Sequence, residues 1–409
     1  MKRSLEDYRH IVGDEVIARI HRKVLGLLGK HILHINSTYQ GGGVAEMLHT
    51  LVPLMNDIGL DAGWRILHGS PDFFSITKRF HNGLQGQPIH MTEIKKQLYT
   101  QTSETFSYYT HIEHDFVVVH DPQPLPLLKF YKKQQPWVWR CHIDLSNPDE
   151  NLWEYLKTFI LKYDTVIVSS EKYRRVDLPV EYKIMPPAID PLSPKNRDID
   201  GVTIRKTLAR YNIPMDKPIL TQISRFDKWK DPEGVINIFQ RVKQKVDCRL
   251  VLCGSMAADD PEGWEIYENI NKTYIKEIEN GDILLVTSES NILVNALQRA
   301  ASVIIQKSTR EGFGLTVTEG LWKGKPVLAS NVGGIPLQIS DGENGCLLDP
   351  QDIQGFAERT IELMKDETMA IQLGKNARES VREKFLITRL LADYLDLFHN
   401  LLVCSGTCR

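Results

Sequence analysis

Two carboxylates lie close together in the stretch TREGFGLTVTEG, where Glu311 and Glu319 are eight positions apart around a Phe-Gly-Leu sequence. The stretch follows ASVIIQ, typical of a buried strand, and continues as a helical pattern that ends at a glycine and a proline. This order places the amides of Gly314, Leu315 and Thr316 at a helix N-terminus, which favours an anion such as phosphate. Because like charges repel, the two glutamates cannot bind the phosphate, but each can accept hydrogen bonds from hydroxyls beside it. A sugar on one side and a ribose on the other would fit, which describes a nucleoside diphosphate sugar.

Cations for a diphosphate stand in the loop SRFDKWKDP, which follows the apolar strand pattern KPILTQI. Arg225 can donate to two phosphate oxygens at once, and Lys230 supplies a compact charge. Negative charge grows on a diphosphate as its bond to a sugar breaks, so fixed cations stabilise the transition state more than the ground state. The sequence therefore predicts a leaving-group role for both residues.

Candidate acceptor groups follow strands in the first half of the chain. The glycines 41–43 occupy the loop after KHILHIN, where small residues let backbone approach a substrate, although a plain turn is the alternative. They are not a dinucleotide fingerprint, which would need glycine where Glu46 stands. His120 and Asp121 end the strand DFVVVH, and Asp144 comes shortly after WVWRC, so all three are predicted to face the acceptor. The acceptor candidates are therefore Gly42, Gly43, Glu46, Asp121 and Asp144.

The elements that must position these residues alternate as strand, loop and helix, which predicts parallel sheets covered on both faces. A chain of 409 residues is too long for one ordinary core, and the Pro-, Asp- and Ser-rich stretch IMPPAIDPLSPKNRDIDG is predicted to be a linker. We therefore expect an α/β protein with two doubly wound domains, residues 1–190 and 191–384. Residues 385–409 are predicted to return to the first domain within one long amphipathic helix that starts near Val381. Ligands of such sheets bind beyond the carboxyl ends of the strands.

Composition excludes several classes of protein. Lys and Arg number 50 against 52 Asp and Glu, a net charge of -2, so no global charge attracts nucleic acid or an anionic membrane. Acidic residues interrupt any N-terminal signal peptide and no segment has the roughly 18–20 apolar residues of a membrane span, so a cytoplasmic location is the default expectation. The six cysteines are predicted to be reduced and mostly buried, with pairing of Cys404 and Cys408 as the alternative. His111, His114 and His120 match no common ligand spacing, so no metal site is predicted.

Glu311 and Glu319 around Phe-Gly-Leu, with Arg225 and Lys230 upstream, resemble the retaining glycosyltransferases of family four over nearly the whole chain. The resemblance implies the GT-B fold, with two Rossmann-like domains facing each other across a cleft, an acceptor domain first and a donor domain second. The stretches QKSTREGFGLTVTEGLWKGKPV, WRCHIDLS and GGGVAEML are most similar to family members that form trehalose from a nucleoside diphosphate glucose and glucose. Related phosphorylases share much of this pattern.

The resemblance also implies roles for individual residues. Glu319 would bind the donor ribose and Glu311 the far hydroxyls of the transferred glucose, while His142 would lie by that sugar. Arg225 and Lys230 would hold the diphosphate. The resemblance further implies that the acceptor attacks the sugar from the face that the leaving group occupies and that the leaving phosphate takes the acceptor's proton. This reaction requires no protein nucleophile. The amides expected to line the sugar and phosphate are those of Phe313, Gly314, Leu315 and Thr316.

The resemblance implies no tightly bound cofactor, and stimulation by Mg²⁺ is left open. Whether the protein forms a homodimer is also open. So is the base of the donor, which the stretch TSESNILVNAL is expected to contact. Two positions depart from the wider family: Lys307 stands where many members have proline, and Leu337 where many have glutamate. Lys307 either adds a cation near the phosphates or is a solvated loop residue.

Other functions remain as alternatives. A trehalose phosphorylase would use phosphate in place of a nucleotide, another family-four enzyme would use a different acceptor, and a sugar-nucleotide sensor would bind without turnover. A Rossmann-type oxidoreductase is disfavoured because both halves lack the glycine fingerprint. A glycoside hydrolase is disfavoured because a helix N-terminus lies between its two supposed carboxylates.

Overall fold

The computed structural model describes residues 3–254 and 261–406, without the side chains of 261–262 and 404–406. These residues form two units. The first is Met1–Ala188 with Ile387–Arg409, and the second is Ile189–Leu386. The divisions predicted after residue 190 and before residue 385 fall two residues from these boundaries.

The first unit is built on a six-stranded parallel sheet of mostly short, buried strands. The strands are β1 His31–Asn36, β2 Asp61–Ile66, β3 Phe116–His120, β4 Trp137–Arg140, β5 Thr165–Val168 and β6 Glu181–Ile184. Their order in the sheet is β2-β1-β3-β4-β5-β6, so the chain reverses direction across the sheet between β1 and β3. A ligand site is expected at the carboxyl end of that pair.

The second unit contains another six-stranded parallel sheet. Its strands are β7 Ile219–Ile223, β8 Arg249–Gly254, β9 Ile283–Thr287, β10 Val303–Gln306, β11 Val327–Ser330 and β12 Cys346–Leu348. The order β12-β11-β10-β7-β8-β9 is the doubly wound Rossmann order, and its reversal lies between β7 and β10. The predicted α/β class with two doubly wound sheets is confirmed.

Helices cover both sheets. They are α1 Arg9–Val12, α2 Asp14–Val24, α3 Gly42–Asp57, α4 Pro71–Leu84, α5 Glu93–Tyr109, α6 Glu150–Ile160, α7 Gly201–Arg210, α8 Pro232–Lys243, α9 Pro261–Thr273, α10 Ile275–Glu279, α11 Asn291–Ala300, α12 Leu315–Trp322, α13 Ile353–Lys365, α14 Glu367–Lys384 and α15 Ile387–Gly406. Short 3₁₀ turns occur at Leu5–Tyr8, Leu25–Leu27, Leu125–Phe130, Glu171–Tyr173 and Ile335–Leu337. No helix of the described residues is long and apolar enough to span a bilayer.

One local prediction was wrong. The C-terminal helix is not continuous, because α14 ends at Lys384 and α15 begins at Ile387 after two buried residues. α15 packs on α2 and α3 of the first unit. The boundary between the two units, after Ala188, lies within the predicted linker. Beyond it, the Asn295 amide holds the segment to the rest of the second unit by donating to the carbonyls of Pro194 (2.9 Å) and Arg197 (2.8 Å).

Four of the six cysteines are free and buried, as predicted for reduced thiols: Cys141, Cys248, Cys253 and Cys346. Burial raises the pKa of each thiol. The alternative pairing of Cys404 with Cys408 lies outside the side chains that the structure describes. Within the described part of the chain, no three His, Cys, Asp or Glu side chains are grouped as metal ligands.

Candidate active site

The loops after β7 and β10 lie side by side in the second unit, because these strands are neighbours at the reversal of strand order. Gln222 near the end of β7 joins them: its side-chain oxygen accepts from the Lys307 amide (2.9 Å) and its nitrogen donates to the Lys230 carbonyl (2.8 Å). The Thr309 amide also donates to the Trp229 carbonyl at 2.8 Å. The two predicted motifs therefore form one surface, although Lys230 and Ser308 are 78 positions apart in the sequence.

The N-terminus of α12 is built as the sequence predicts. Gly314 is its N-cap, with φ of 82° and ψ of 65°, a left-handed conformation that glycine adopts without strain. The Gln338 side chain donates to the carbonyls of Phe313 and Gly314, so these acceptors face Gln338. Gly334 permits this packing, since a Cβ there would lie 2.6 Å from the Gly312 carbonyl oxygen. The helix therefore begins where the sequence predicts it. Binding of an anion there stays a prediction, based on the unpaired N–H groups and the dipole of a helix N-terminus.

The carboxylate and the cation predicted to hold the sugar and the diphosphate contact each other. Lys230 Nζ lies against Glu311 Oε2, and both side chains are more than four-fifths buried. Ser308 Oγ donates to the same carboxylate oxygen at 3.3 Å.

Arg225 lies in the predicted loop but is the more exposed cation. Its side chain is 55% exposed and its guanidinium is 3.3 Å from the Asp227 carboxylate. Burial raises the pKa of Asp227, and the charges of Arg225 and Lys230 oppose that rise. Asp227 Oδ1 accepts from the amides of Trp229 (2.9 Å) and Lys230 (3.1 Å). Asp227 therefore shapes the turn that carries both predicted cations.

Glu319 is 3% exposed, so it is not a solvated residue of the helix surface. Its carboxylate oxygen Oε1 is 3.7 Å from the ammonium of Lys195, which comes from the segment predicted to be a linker. Lys323, the C-cap residue of α12, donates to the Glu319 carbonyl (3.3 Å) and to Asn196 Oδ1 (2.9 Å). Burial lowers the pKa of Lys323, and the charge of Glu319 opposes that shift.

Lys307 is 2% exposed, so the solvated-loop alternative is wrong. Its ammonium contacts Asp231, the N-cap residue of α8, which adopts a left-handed φ of 43°. The other oxygen of Asp231 accepts from the Gly234 amide at 3.1 Å. A Cβ at Gly234 would lie 2.6 Å from Lys307 Nζ, so a larger residue there would force the end of that side chain to shift. Lys307 thus connects the β10 loop to the start of α8.

In the first unit, three histidines form a continuous chain across neighbouring strands. His34 Nδ1 is 3.0 Å from His120 Nε2, and His120 Nδ1 is 3.1 Å from His142 Nε2. Burial is the main cause that lowers the pKa of all three imidazoles, with Arg140 adding to it. The expectation that His120 faces an acceptor is wrong, because its side chain is fully buried between the other two rings.

Asp121 follows His120 in a left-handed conformation, with φ of 61°. Its Oδ1 accepts from the His142 amide at 2.8 Å, which fixes the loop after β4. Burial raises the pKa of Asp121 to about 7. Such a conformation at a residue other than glycine is a recurrent feature of functional sites.

The remaining acceptor candidates are placed as follows. Gly42 and Gly43 form the first turn of α3 rather than a loop, with Gly41 as its N-cap. Glu46 is exposed one turn further on. Asp144 Oδ1 accepts from the Ser146 amide at 2.8 Å, which is a local turn.

Sequence reasoning missed several residues that shape these sites. Gln222 gave a weak signal, as a polar side chain inside an apolar strand pattern. Lys195 and His34 gave none, because a lysine in a Pro-rich stretch and a histidine in a buried strand have no distinctive spacing. The missed residues are His34, Lys195, Asn196, Gln222, Lys323 and Gln338.

Comparison with known proteins places this chain among glycosyltransferases. Residues 34–175 match the family described as trehalose synthase, N-terminal domain, and residues 203–380 match glycosyl transferases group 1. The chain is 47% identical over 405 residues to a trehalose synthase of Thermococcus litoralis, covering 97% of each chain. It is 29% identical to a trehalose phosphorylase of Pleurotus pulmonarius over 93% of this chain and 59% of that protein. Among solved structures, the UDP-forming α,α-trehalose-phosphate synthase of Burkholderia xenovorans superposes with a TM-score of 0.74 at 13% identity, covering 91% of this chain and all of that one.

The two parallel sheets, the loops at the reversal of strand order and these matches define a glycosyltransferase with the GT-B fold. Within that class, the chain belongs to the trehalose synthase family. The activity that this membership supports is a trehalose-related glycosyl transfer.

Proposed function

We propose that this protein is a retaining glucosyltransferase that forms α,α-1,1-linked trehalose from a nucleoside diphosphate glucose and free glucose, in a reversible reaction. The contact between Lys230 and Glu311 beside the N-terminus of α12 carries the proposal. In this proposal a cation for the leaving diphosphate, a carboxylate for sugar hydroxyls and a set of amide donors lie together where the strand order reverses, between β7 and β10.

The second unit binds the donor in this proposal. Arg225, Lys230 and the amides of Phe313 to Thr316 hold the diphosphate and sugar. Glu311 accepts from hydroxyls of the glucose, and Glu319 accepts from the ribose. Charge-assisted hydrogen bonds of this kind are about twice as strong as neutral ones, which suits a buried carboxylate such as Glu319.

Transfer then proceeds on one face of the sugar. The bond between the anomeric carbon and the diphosphate oxygen breaks, the acceptor hydroxyl oxygen bonds to that carbon from the same face, and its proton passes to the leaving phosphate oxygen. Arg225 and Lys230 stabilise the charge that develops on the diphosphate. We assign Gly42, Gly43, Glu46, Asp121 and Asp144 of the first unit to the acceptor glucose, and His142 to the transferred sugar.

The test is product identification by NMR after incubation with uridine, adenosine or guanosine diphosphate glucose and free glucose, with and without Mg²⁺. An α,α-1,1-linked disaccharide with release of the nucleoside diphosphate supports the proposal and ranks the donors. No product, together with trehalose cleavage to glucose 1-phosphate when inorganic phosphate is added, moves the assignment to a phosphorylase. Transfer to other acceptors but not to glucose makes the protein a different family-four transferase.

A further inference from the structure

The three histidines of the first unit come from three adjacent strands. His34 lies in β1, His120 ends β3 and His142 follows β4, and the sheet order is β1-β3-β4. The rings of His120 and His142 are nearly parallel, with an interplanar angle of 9°. His34 and His120 are completely buried. The chain thus runs from the core of the sheet to the loop that carries His142.

The two hydrogen bonds of this chain must run in the same direction. Burial and the nearby Arg140 guanidinium keep all three imidazoles neutral, so each has one N–H donor and one bare nitrogen. His120 uses both of its nitrogens, one toward each neighbour. If it donates to one neighbour, it must therefore accept from the other. Only two proton arrangements satisfy both bonds.

The buried end of the chain decides between the two arrangements. His34 Nε2 is buried and has no hydrogen-bond partner among the described residues. A buried N–H without an acceptor is rarer and costlier than an unsatisfied acceptor. His34 therefore carries its proton on Nδ1 and donates to His120, which in turn donates from Nδ1 to His142 Nε2.

We propose that His34 and His120 are positioning residues that hold His142 in the Nδ1–H tautomer. His142 then presents an N–H donor at the end of the chain, suited to an oxygen of a sugar and unsuited to accepting a proton there. The benefit to glucosyl transfer rests on the role proposed for His142, whereas the tautomer itself does not. Such tautomers are set by the bond that the other ring nitrogen makes.

The full chain labelled with ring-¹⁵N histidine tests the proposal, because protonated and bare ring nitrogens resonate far apart. The His142→Gln variant identifies the His142 resonances by their loss. The expected result is a protonated Nδ1 and a bare Nε2 in the unmodified protein. A protonated Nε2 on His142 would overturn the proposal, and this measurement needs no variant of the two buried histidines.

Two substitutions at His120 separate positioning from packing. His120→Leu removes the donor to His142, so the tautomer should be released and kcat/KM should fall about tenfold, the value of one hydrogen bond. His120→Asn keeps an N–H donor in reach of His142 Nε2 and should recover most of the rate together with the Nδ1–H signal. Equal losses in both variants, with unchanged His142 resonances, would indicate packing alone.

The exposed His10 provides the control, since His10→Asn should alter neither the His142 resonances nor the rate. Failure of the proposed function has a different signature. In that case the unmodified protein forms no trehalose, although the His142 tautomer is as described.

Discussion

The ammonium of Lys230 contacts the carboxylate of Glu311 across 81 residues of sequence. Each residue was assigned to a different part of the donor from sequence, Lys230 to the diphosphate and Glu311 to the glucose. Their contact places the residues proposed to bind these two parts of the donor side by side.

Lys230→Met is expected to lower the turnover number about a hundredfold to a thousandfold, because it removes a fixed cation from the leaving group. Initial rates at saturating donor and glucose measure this loss. The matched control is Lys228→Met, an exposed lysine two positions away in the same loop. A similar loss in both variants, or a normal rate in Lys230→Met, would contradict the leaving-group role.

Glu319→Ala is expected to weaken binding of the free nucleoside diphosphate about tenfold or more, as expected for loss of a hydrogen bond to a charged group. Affinity for glucose should change much less, since the proposed ribose contact does not involve the acceptor. Titration calorimetry measures both ligands. Glu383→Ala, on the exposed surface of α14, is the control. Unchanged nucleotide affinity in Glu319→Ala would reject the ribose role.

Lys307→Met is expected to destabilise the protein by about 3 kcal/mol, because it leaves Asp231 without its buried partner. Combining it with Asp231→Asn should recover part of that loss, since the asparagine carries no charge and still caps α8. Urea unfolding midpoints of the two single variants and the double variant measure the coupling. If the loss of stability in the double variant equals the sum of the losses in the two single variants, the interaction between Lys307 and Asp231 does not stabilise the protein.

Asp121→Asn is expected to reduce the pH dependence of stability. The folded protein keeps the Asp121 proton up to a pKa of about 7, whereas the ordinary value is 3.8. The folded state therefore binds more protons than the unfolded state between these values, and stability falls as the pH rises through them, by up to about 1.4 kcal/mol per pH unit. Asparagine cannot ionise and its oxygen can still accept from the His142 amide.

Urea unfolding at pH 4, 5.5 and 7 compares the Asp121→Asn variant with the unmodified protein. The variant should gain stability relative to it as the pH rises. Asp144→Asn, which changes another aspartate after a neighbouring strand, serves as the control. Parallel stability curves for Asp121→Asn and the unmodified protein would show that Asp121 does not titrate in this range.

Several elements could be predicted from sequence because their signals are local. Apolar runs such as VIIQ and FVVVH identified buried strands, and the glycine and proline after α12 marked its end. Strands β6 and β12 were missed because both lie at sheet edges, where a short or half-exposed strand has no continuous apolar run. The break at Phe385 and Leu386 was missed because these apolar residues continue the helical pattern on either side.

The motif of the proposed donor site was likewise evident, since Glu311, Glu319 and the start of α12 lie within one loop and helix. Partners of these residues were not. Lys195 comes from a Pro-rich segment whose composition indicates a linker, and only its packing on α11 and α12 brings it to Glu319. Composition does not reveal that such a segment is held in place.

The sequence by itself determined the alternation of strands and helices, the loops that carry charged groups and the start of α12. These features depend on neighbours a few residues apart, through side-chain periodicity and the backbone preferences of glycine and proline. The tertiary structure decided that β7 lies beside β10, so that Lys230 meets Glu311, and that β1, β3 and β4 align three histidines. Strand order is set by burial of surfaces far apart in sequence, which leaves no local pattern to predict from.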